Sequence, residues 1–182
     1  MRKMRGDFQR YLIGQGIDIG AGPDCLQVER GNVRAWDMPD GDAQYLQGVP
    51  DNFYDFVYSS HCLEHMVNVE ISLTNWLRVL KPGGHLYTVI PDYILYEKLT
   101  WPSRFNIDHK QSFSFLITRA KTQRNNHWHI NDDLLPLHRK LGAEPVAFHV
   151  EDRGFNYNVG PVDQTSGDAL SQLCIIARKN DL

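Results

Sequence analysis

Two histidines and a glutamate lie close together in the chain, at His61, Glu64 and His65. Imidazole nitrogens and carboxylate oxygens exchange protons near neutral pH, and both also bind zinc. The spacing His-x-x-Glu-His matches zinc hydrolases in which the two histidines bind the metal and the glutamate activates water. Four residues are candidates for the third protein ligand that such a site needs, and no pattern selects among them: Asp108, His109, His127 and His129. We therefore predict no metal ligand from the sequence, and a zinc hydrolase using His61, Glu64 and His65 is the least favoured interpretation.

A second group of candidate residues surrounds a glycine-rich turn. Gly20-Ala21-Gly22 follows a short apolar stretch, and two glycines one residue apart let the backbone turn sharply and approach a ligand closely. Asp37 stands 17 residues beyond Gly20, about where an acidic residue binds the ribose hydroxyls in nucleotide-binding sheets. The full dinucleotide fingerprint is absent, because Cys25 occupies the third glycine position. An ordinary strand-to-helix turn and a surface aspartate are the simpler interpretations.

Glycine and proline divide the rest of the chain into short elements. Apolar residues at helical spacing predict a helix from Val69 to Leu80, which Lys81-Pro82-Gly83-Gly84 ends. The other helical predictions are residues 1–11, one or two turns within 23–29, and 132–141, where Pro136 kinks the helix or trims its start. The predicted strands are 16–20, 32–36, 54–58, 85–90, 144–150 and 171–178, and a loop is predicted at 125–129.

The order of these elements predicts an α/β fold. Strands that alternate with helices form a mostly parallel sheet with helices on both faces. The last two strands have no helix between them, so the last strand can run antiparallel. Ligands of such sheets bind outside the carboxyl ends of the strands. The residues that follow each strand are therefore the candidates for function.

Bulk properties limit the class of protein. The 182 residues contain no repeat or linker, so we predict a single domain over 1–182. A net charge of −3 with scattered basic residues gives no sign of a nucleic-acid partner. No apolar run reaches the length of a membrane span, and neither a membrane partner nor a signal peptide is predicted. Three widely spaced cysteines suit a reducing cytoplasm, which is the predicted location.

Four segments in the first half of the chain resemble class I S-adenosylmethionine-dependent methyltransferases of the compact type 11 group. They are 16–23 (GIDIGAGP), 42–43 with 51–57 (DA and DNFYDFV), 60–65 (SHCLEH) and 77–84 (LRVLKPGG). Two later segments, 102–110 and 163–165, resemble bacterial methyltransferases associated with surface-glycan gene clusters. The family resemblance implies a Rossmann-like sheet and S-adenosylmethionine as the cofactor.

The resemblance also implies the cofactor-binding residues: Asp18, Gly20, Ala21, Gly22, Asp37, Met38, Asp42, Ala43, Ser60 and His61. In this assignment Asp18 and the glycines frame the methionine moiety, and Asp37 binds the ribose. Asp42 accepts a hydrogen bond from the adenine amine, and Ser60 and His61 line the sulfonium.

One departure from the family concerns the second strand. The family places a helix and a strand between the ribose acid and the adenine acid, whereas Asp37 and Asp42 are five residues apart here. The fold is therefore predicted to be shortened, with the helix after the second strand missing. Either the cofactor pocket is open on that side, or Asp37 is not the ribose ligand. A chain shortened in this way binds its cofactor weakly or needs a partner to close the pocket.

The function predicted from the resemblance is methyl transfer to a small molecule or a sugar or glycan acceptor, on oxygen or nitrogen. A hydroxyl acceptor needs a base, and the catalytic candidates are His61, His109 and His65, with Asp92 behind them. Residues 93–130, rich in aromatic side chains, form the predicted acceptor-side insertion. The alternative is a degenerate methyltransferase-like domain that serves binding or assembly. An uncovered sheet face is compatible with a homodimer.

Overall fold

The computed structural model describes residues 7–181. Its strands are β1 (Gly14–Ile19), β2 (Gly31–Trp36), β3 (Tyr54–Ser60), β4 (Leu80–Pro91), β5 (Ser112–Ser114), β6 (His127–His129), β7 (Ala143–Glu151) and β8 (Gln172–Lys179). Its α-helices are α1 (Asp7–Tyr11), α2 (Val69–Arg78), α3 (Arg119–Thr122) and α4 (Leu135–Lys140). No helix within residues 7–181 is long and apolar enough to cross a membrane.

Six strands form the main sheet, in the order β2-β1-β3-β4-β8-β7. Strands β2, β1, β3 and β4 run parallel to one another. Strand β8 is antiparallel to both β4 and β7. β5 and β6 form a separate parallel pair. The predicted α/β sheet, mostly parallel with an antiparallel last strand, is confirmed.

One side of the sheet packs against α2 and α4. Successive residues of a strand face opposite sides, so that Ile17, Val57 and Leu86 all reach the same core. Trp76 of α2 and Leu137 of α4 close that core from outside. Burial of such apolar side chains is the main contribution to stability, at about 1.5–3 kcal/mol for each large side chain.

The opposite side of the sheet carries much less helix. Phe8 of α1 packs edge-on against Tyr58 and Tyr87 of the sheet, with ring centroids 5.8 and 5.4 Å away. Leu26 and Val28, in the loop after β1, complete this smaller cluster. Helices therefore lie on both faces, as predicted, but a single short helix and a loop cover this one. Residues 1–6 of the predicted first helix lie outside the described residues.

Helix α2 is held against the loop that precedes β3. Asn68 caps the helix, because its side chain accepts a hydrogen bond from the Ile71 N–H at 3.0 Å. At the buried face, the Trp76 indole N–H donates to the Ala43 carbonyl at 2.8 Å. The helix therefore positions the segment that carries Asp42 and Ala43.

The structure corrects three local predictions. The residues from 23 to 29 form turns and extended chain rather than a helix, and residues 127–129 of the predicted loop form β6. The strand predicted from residue 85 begins at Leu80. At Pro136, the predicted trimming of the helix start is the alternative that the structure has, because α4 begins at Leu135, after a π-helical turn from Ile130 to Leu134. The predicted absence of a helix after β2 is confirmed, since only a 3₁₀ turn, Met38–Asp40, occurs between β2 and β3.

Candidate active site

The carboxyl ends of β1, β2 and β3 meet at one edge of the sheet. Ile19 pairs with Trp36 on one side and with Ser59 on the other. The N–H groups of Gly20 and Ala21 donate to the Trp36 carbonyl at 2.9 and 3.3 Å. The glycine turn is thereby fixed beside the residues that follow β2. We name this region, residues 18–22, 36–43 and 60–61, the glycine-turn edge.

Gly20 is the residue at this edge for which glycine is required most strongly. Its φ is +76°, and an added Cβ would lie 2.7 Å from the Cβ of Cys62. Gly22 also has a positive φ of +56°, but a Cβ there would meet no atom within 4 Å. The first glycine therefore permits a close approach of two loops, and the second faces open space.

The aspartates of the glycine-turn edge accept hydrogen bonds from backbone N–H groups. Buried Asp18 accepts from Leu26 at 2.7 Å, which closes the loop after β1. Asp37 accepts from Gly22 at 2.9 Å through Oδ2 and from Met38 at 2.8 Å through Oδ1, and its side chain also caps the Asp40 N–H. A carboxylate offers about four lone-pair sites, so Asp37 can still accept from a ligand hydroxyl.

The remaining residues predicted at this edge are exposed or half-buried. Met38 is 86% exposed, and Asp42 is exposed with its carboxylate accepting from the Gln44 N–H at 2.7 Å. Ala43 and Ser60 are half-buried. The structure thus places the predicted cofactor residues along one strand edge, beside an open surface.

His61 connects this edge to a second region. It follows the last residue of β3 in the left-handed conformation, with a φ of +55°. Its N–H donates to the Val89 carbonyl at 2.9 Å, and its Nε2 lies 2.9 Å from Oε1 of Gln172. This turn out of the strand leads into a 3₁₀ turn, Leu63–His65, which directs the Glu64 side chain inward.

A cavity of about 560 Å³ lies beside this turn. Its walls include all three predicted catalytic histidines, together with Glu64, Tyr96 and Gln172. We name these six residues and Glu97 the histidine cavity. The carbonyl of Glu64 accepts from the N–H groups of Lys110 and Gln111 at 2.8 and 2.9 Å, which brings the 106–111 segment over the cavity.

Two buried carboxylates flank His109. Its Nδ1 lies 2.6 Å from Oε1 of Glu97, and its Nε2 lies 3.9 Å from Oε1 of Glu64. Glu64 has no exposed surface and Glu97 only 1%. On the cavity's other side, Nδ1 of His65 lies 3.0 Å from Oδ2 of Asp108.

Burial changes the ionisation of groups around the cavity. Desolvation raises the pKa of Asp92, which follows β4, to about 6, although the N–H groups of Ile94 and Leu95 donate to its carboxylate. Desolvation also raises the pKa of Tyr96 to about 12. Both groups are therefore neutral under mildly acidic conditions, and Tyr96 remains a hydrogen-bond donor at neutral pH.

The structure brings together some of the residues singled out in the sequence and separates others. Of the four candidate third ligands, His109 reaches the cavity and Asp108 contacts His65, whereas His127 and His129 bond to backbone carbonyls of Ile117 and Phe115. Glu97 and Gln172 were not identified from the sequence. The sequence could have indicated them only by position. Glu97 follows β4, and Gln172 begins β8 opposite the carboxyl end of β4.

The mostly parallel sheet, with a glycine turn after β1 and an acidic residue after β2, is a Rossmann-like arrangement. Residues 13–88 match the family model described as "Methyltransferase domain", which confirms the resemblance noted in the sequence. A demethylmenaquinone methyltransferase of Tropheryma whipplei is 32% identical, over 48% of this chain. The chain spans 40% of the length of that curated relative.

Solved structures agree with this assignment of the fold. A methyltransferase from Archaeoglobus fulgidus superposes with a TM-score of 0.57 at 16% identity, covering 96% of this chain and 92% of the other. Phosphoethanolamine N-methyltransferase 2 of Haemonchus contortus, solved with S-adenosylmethionine, superposes with a TM-score of 0.56 at 14% identity. That match covers 93% of this chain and 49% of the other.

Proposed function

We propose that this chain is an S-adenosylmethionine-dependent methyltransferase that acts on a small-molecule or sugar or glycan acceptor. One observation carries the proposal: His61 directly follows β3 at the glycine-turn edge and also lines the histidine cavity. A cofactor at the edge and an acceptor in the cavity would therefore meet at His61. The curated relative, named for a demethylmenaquinone acceptor, supports a small-molecule acceptor.

The glycine-turn edge fits the cofactor. Open space beside Gly22 leaves room for a ligand against the backbone, and Asp37 keeps lone pairs for the ribose hydroxyls. Exposed Met38 offers an apolar surface to the adenine ring. We assign Asp18 to closing the loop and so to shaping the methionine pocket from behind. The bound cofactor supplies an electrophilic methyl group, and the protein's part is to align it with the acceptor.

The histidine cavity fits an acceptor that carries a hydroxyl or an amine. Among the candidate bases we place His61 first, because its side chain is 44% exposed and can reach a ligand. His109, almost fully buried against Glu97, is better placed to position other groups. Tyr96 lines the cavity and packs edge-on against Phe105, with ring centroids 5.8 Å apart, and an aromatic wall suits sugars and rings. We keep residues 93–130 as the acceptor-side insertion of a single domain, 1–182, in the cytoplasm, with a homodimer as one possible assembly.

Calorimetric titration with S-adenosylhomocysteine tests the proposal. We expect micromolar binding to the wild type and a large loss with Asp37→Asn, which keeps the side-chain size. Asp40→Asn is the matched control, because Asp40 ends the same 3₁₀ turn, where its side chain accepts from the Asp37 N–H at 3.0 Å and lies 3.9 Å from Arg34. Equal binding by wild type and Asp37→Asn would move the ribose contact elsewhere. Absence of binding by the wild type would contradict the proposal.

A second candidate is the non-catalytic methyltransferase-like domain. The observation that favours it is the loss of helix on the glycine-turn side: in the described chain, neither 20–30 nor 41–53 contains an α-helix. Such a domain would keep the fold and bind a partner instead of the cofactor. Absence of S-adenosylhomocysteine binding by a folded protein would favour this candidate.

A further inference from the structure

Glu64 has an unusually placed carboxyl group. Its side chain has no exposed surface, and neither of its carboxyl oxygens receives a hydrogen bond from any described residue. Burying a carboxylate without hydrogen bonds is strongly unfavourable unless a positive charge compensates it. Within residues 7–181, the imidazoles of His61 and His109 lie 3.5 and 3.9 Å from its Oε1.

His65 and His109 are held in the manner of metal ligands. The Nδ1 of His109 is bonded to Glu97, and the Nδ1 of His65 to Asp108. Carboxylates in this position fix the ring and the tautomer of metal-binding histidines, and make the other ring nitrogen a better donor to the metal. One possible ligand atom each from Glu64, His65 and His109 lies within 4.8 Å of the others.

We propose that Glu64, His65 and His109 bind one divalent transition-metal cation of the zinc type. Two imidazoles and a carboxylate suit Zn²⁺, Co²⁺ or Fe²⁺ better than Mg²⁺ or Ca²⁺, which prefer oxygen ligands. Three protein ligands leave at least one position open for a water or a substrate. Because all three residues line the cavity, the open position faces the space that we assign to the acceptor.

This site differs from the zinc hydrolase that the sequence pattern suggested. There, His61 and His65 would bind the metal, and Glu64 would activate water. Here Glu64 itself is a ligand, His109 replaces His61, and the Nε2 of His61 lies 2.9 Å from Gln172.

The role that we assign to the cation is to hold an acceptor hydroxyl and lower its pKa, and this role rests on the proposed function. Cation binding itself does not rest on the proposed function, because it is measured without the cofactor.

The test uses tag-free full-length protein, stripped of metal and titrated with Co²⁺ while its visible absorption is recorded. We expect one equivalent to bind with the absorption of a low-symmetry nitrogen and oxygen site, and one equivalent of Zn²⁺ to remove that absorption. Glu64→Gln and His109→Gln should abolish it. Glu97→Gln, which affects only the orientation of His109, should weaken binding by about 10- to 100-fold. His85→Gln is the control, because His85 lies across the sheet against Tyr11.

Thermal unfolding of Glu64→Gln separates a cation ligand from a merely structural residue. Without metal, the variant should unfold at the same temperature as the wild type or above it, because the carboxyl group that it replaces receives no hydrogen bond from a described residue. With excess Zn²⁺, the wild type should be stabilised and the variant should not. The proposal is overturned if the wild type binds no Co²⁺ or Zn²⁺ at millimolar concentration, or if Glu64→Gln and His109→Gln bind as the wild type does. Since S-adenosylhomocysteine binding is measured separately, failure of either proposal is recognised by itself.

Discussion

The glycine-turn edge and the histidine cavity share His61, but they use carboxylates in opposite ways. At the edge, Asp18 and Asp37 accept hydrogen bonds from N–H groups of the loops that they close. In the cavity, the buried Glu64 carboxyl receives no hydrogen bond from a described residue and lies beside two imidazoles. The edge is therefore largely complete before a ligand arrives, whereas the cavity contains a carboxyl group whose oxygens a ligand can still bind.

The difference also concerns how each region is supported. The edge is built from loops: the Asp18 carboxylate, rather than a helix, holds the chain between β1 and β2. The cavity is supported by the 3₁₀ turn at 63–65 and by segment 106–111, which Glu64 anchors through its carbonyl. Mutations at the edge should therefore act mainly through loop geometry. Mutations around the cavity should act mainly through charge.

The largest effect is expected at the edge, from Gly20→Ala. The new methyl group would overlap Cys62 on a left-handed backbone, which should lower the free energy of unfolding by about 4 kcal/mol. Gly22→Ala is the matched control: it has the same backbone requirement but open space around it, so it should cost about 1 kcal/mol. Urea denaturation measures both. Equal costs for the two variants would show that contact with Cys62 does not shape the edge.

The second-largest effect is expected beside the cavity, where the ionisation of Asp92 should change the free energy of unfolding with pH. Its carbonyl accepts from the Tyr96 N–H at 2.8 Å, so it anchors the turn that carries Tyr96 and Glu97 to the cavity. Because burial raises its pKa from 3.8 to about 6, the folded state favours the protonated acid. Its contribution to stability is therefore present below pH 4 and is lost as pH rises to about 6, by about 3 kcal/mol.

Asp92→Asn should remove that dependence, because the amide keeps an acceptor for Ile94 and Leu95 without a charge. The measurement is the difference in unfolding free energy between wild type and variant from pH 4 to pH 7. Taking the difference cancels the opposite trend from Asp55 and Asp108, whose pKa values are lowered. A constant difference across this range would mean that Asp92 is not desolvated, and that the cavity side differs less from the edge than we conclude.

Local patterns in the sequence predicted most of the fold. The helical spacing of apolar residues located α2, and short aromatic and β-branched runs located the strands of the main sheet. The helical turns at 23–29 were wrong for a reason that local pattern does not contain. Leu26 is held by Asp18, and the loop is packed against the sheet through Leu26 and Val28. Tertiary contacts there outweigh the weak helical preference.

The site could be predicted only in part. The residues after β1, β2 and β3 were selected because parallel strands bring their carboxyl ends together, and the structure places them on one edge. The meeting of His109 with Glu64 depends on a segment 45 residues further along the chain, folded back by hydrogen bonds to the Glu64 carbonyl. No spacing in the sequence encodes that return. Glu97 was missed for the same reason.

The smallest effect on stability is expected from Met38→Ala at the edge, and it tests how complete that edge is. Met38 is 86% exposed, so its truncation should change the free energy of unfolding by less than about 0.5 kcal/mol. If Met38 covers the adenine, the same change should weaken S-adenosylhomocysteine binding several-fold, since burial of the side chain then occurs only with the ligand. Val67→Ala is the control, because that side chain is 73% exposed on the other side of the His61 turn. Unchanged binding by Met38→Ala would remove Met38 from the cofactor site and place the adenine nearer Asp42 and Ala43, on the part of the edge that Trp76 anchors.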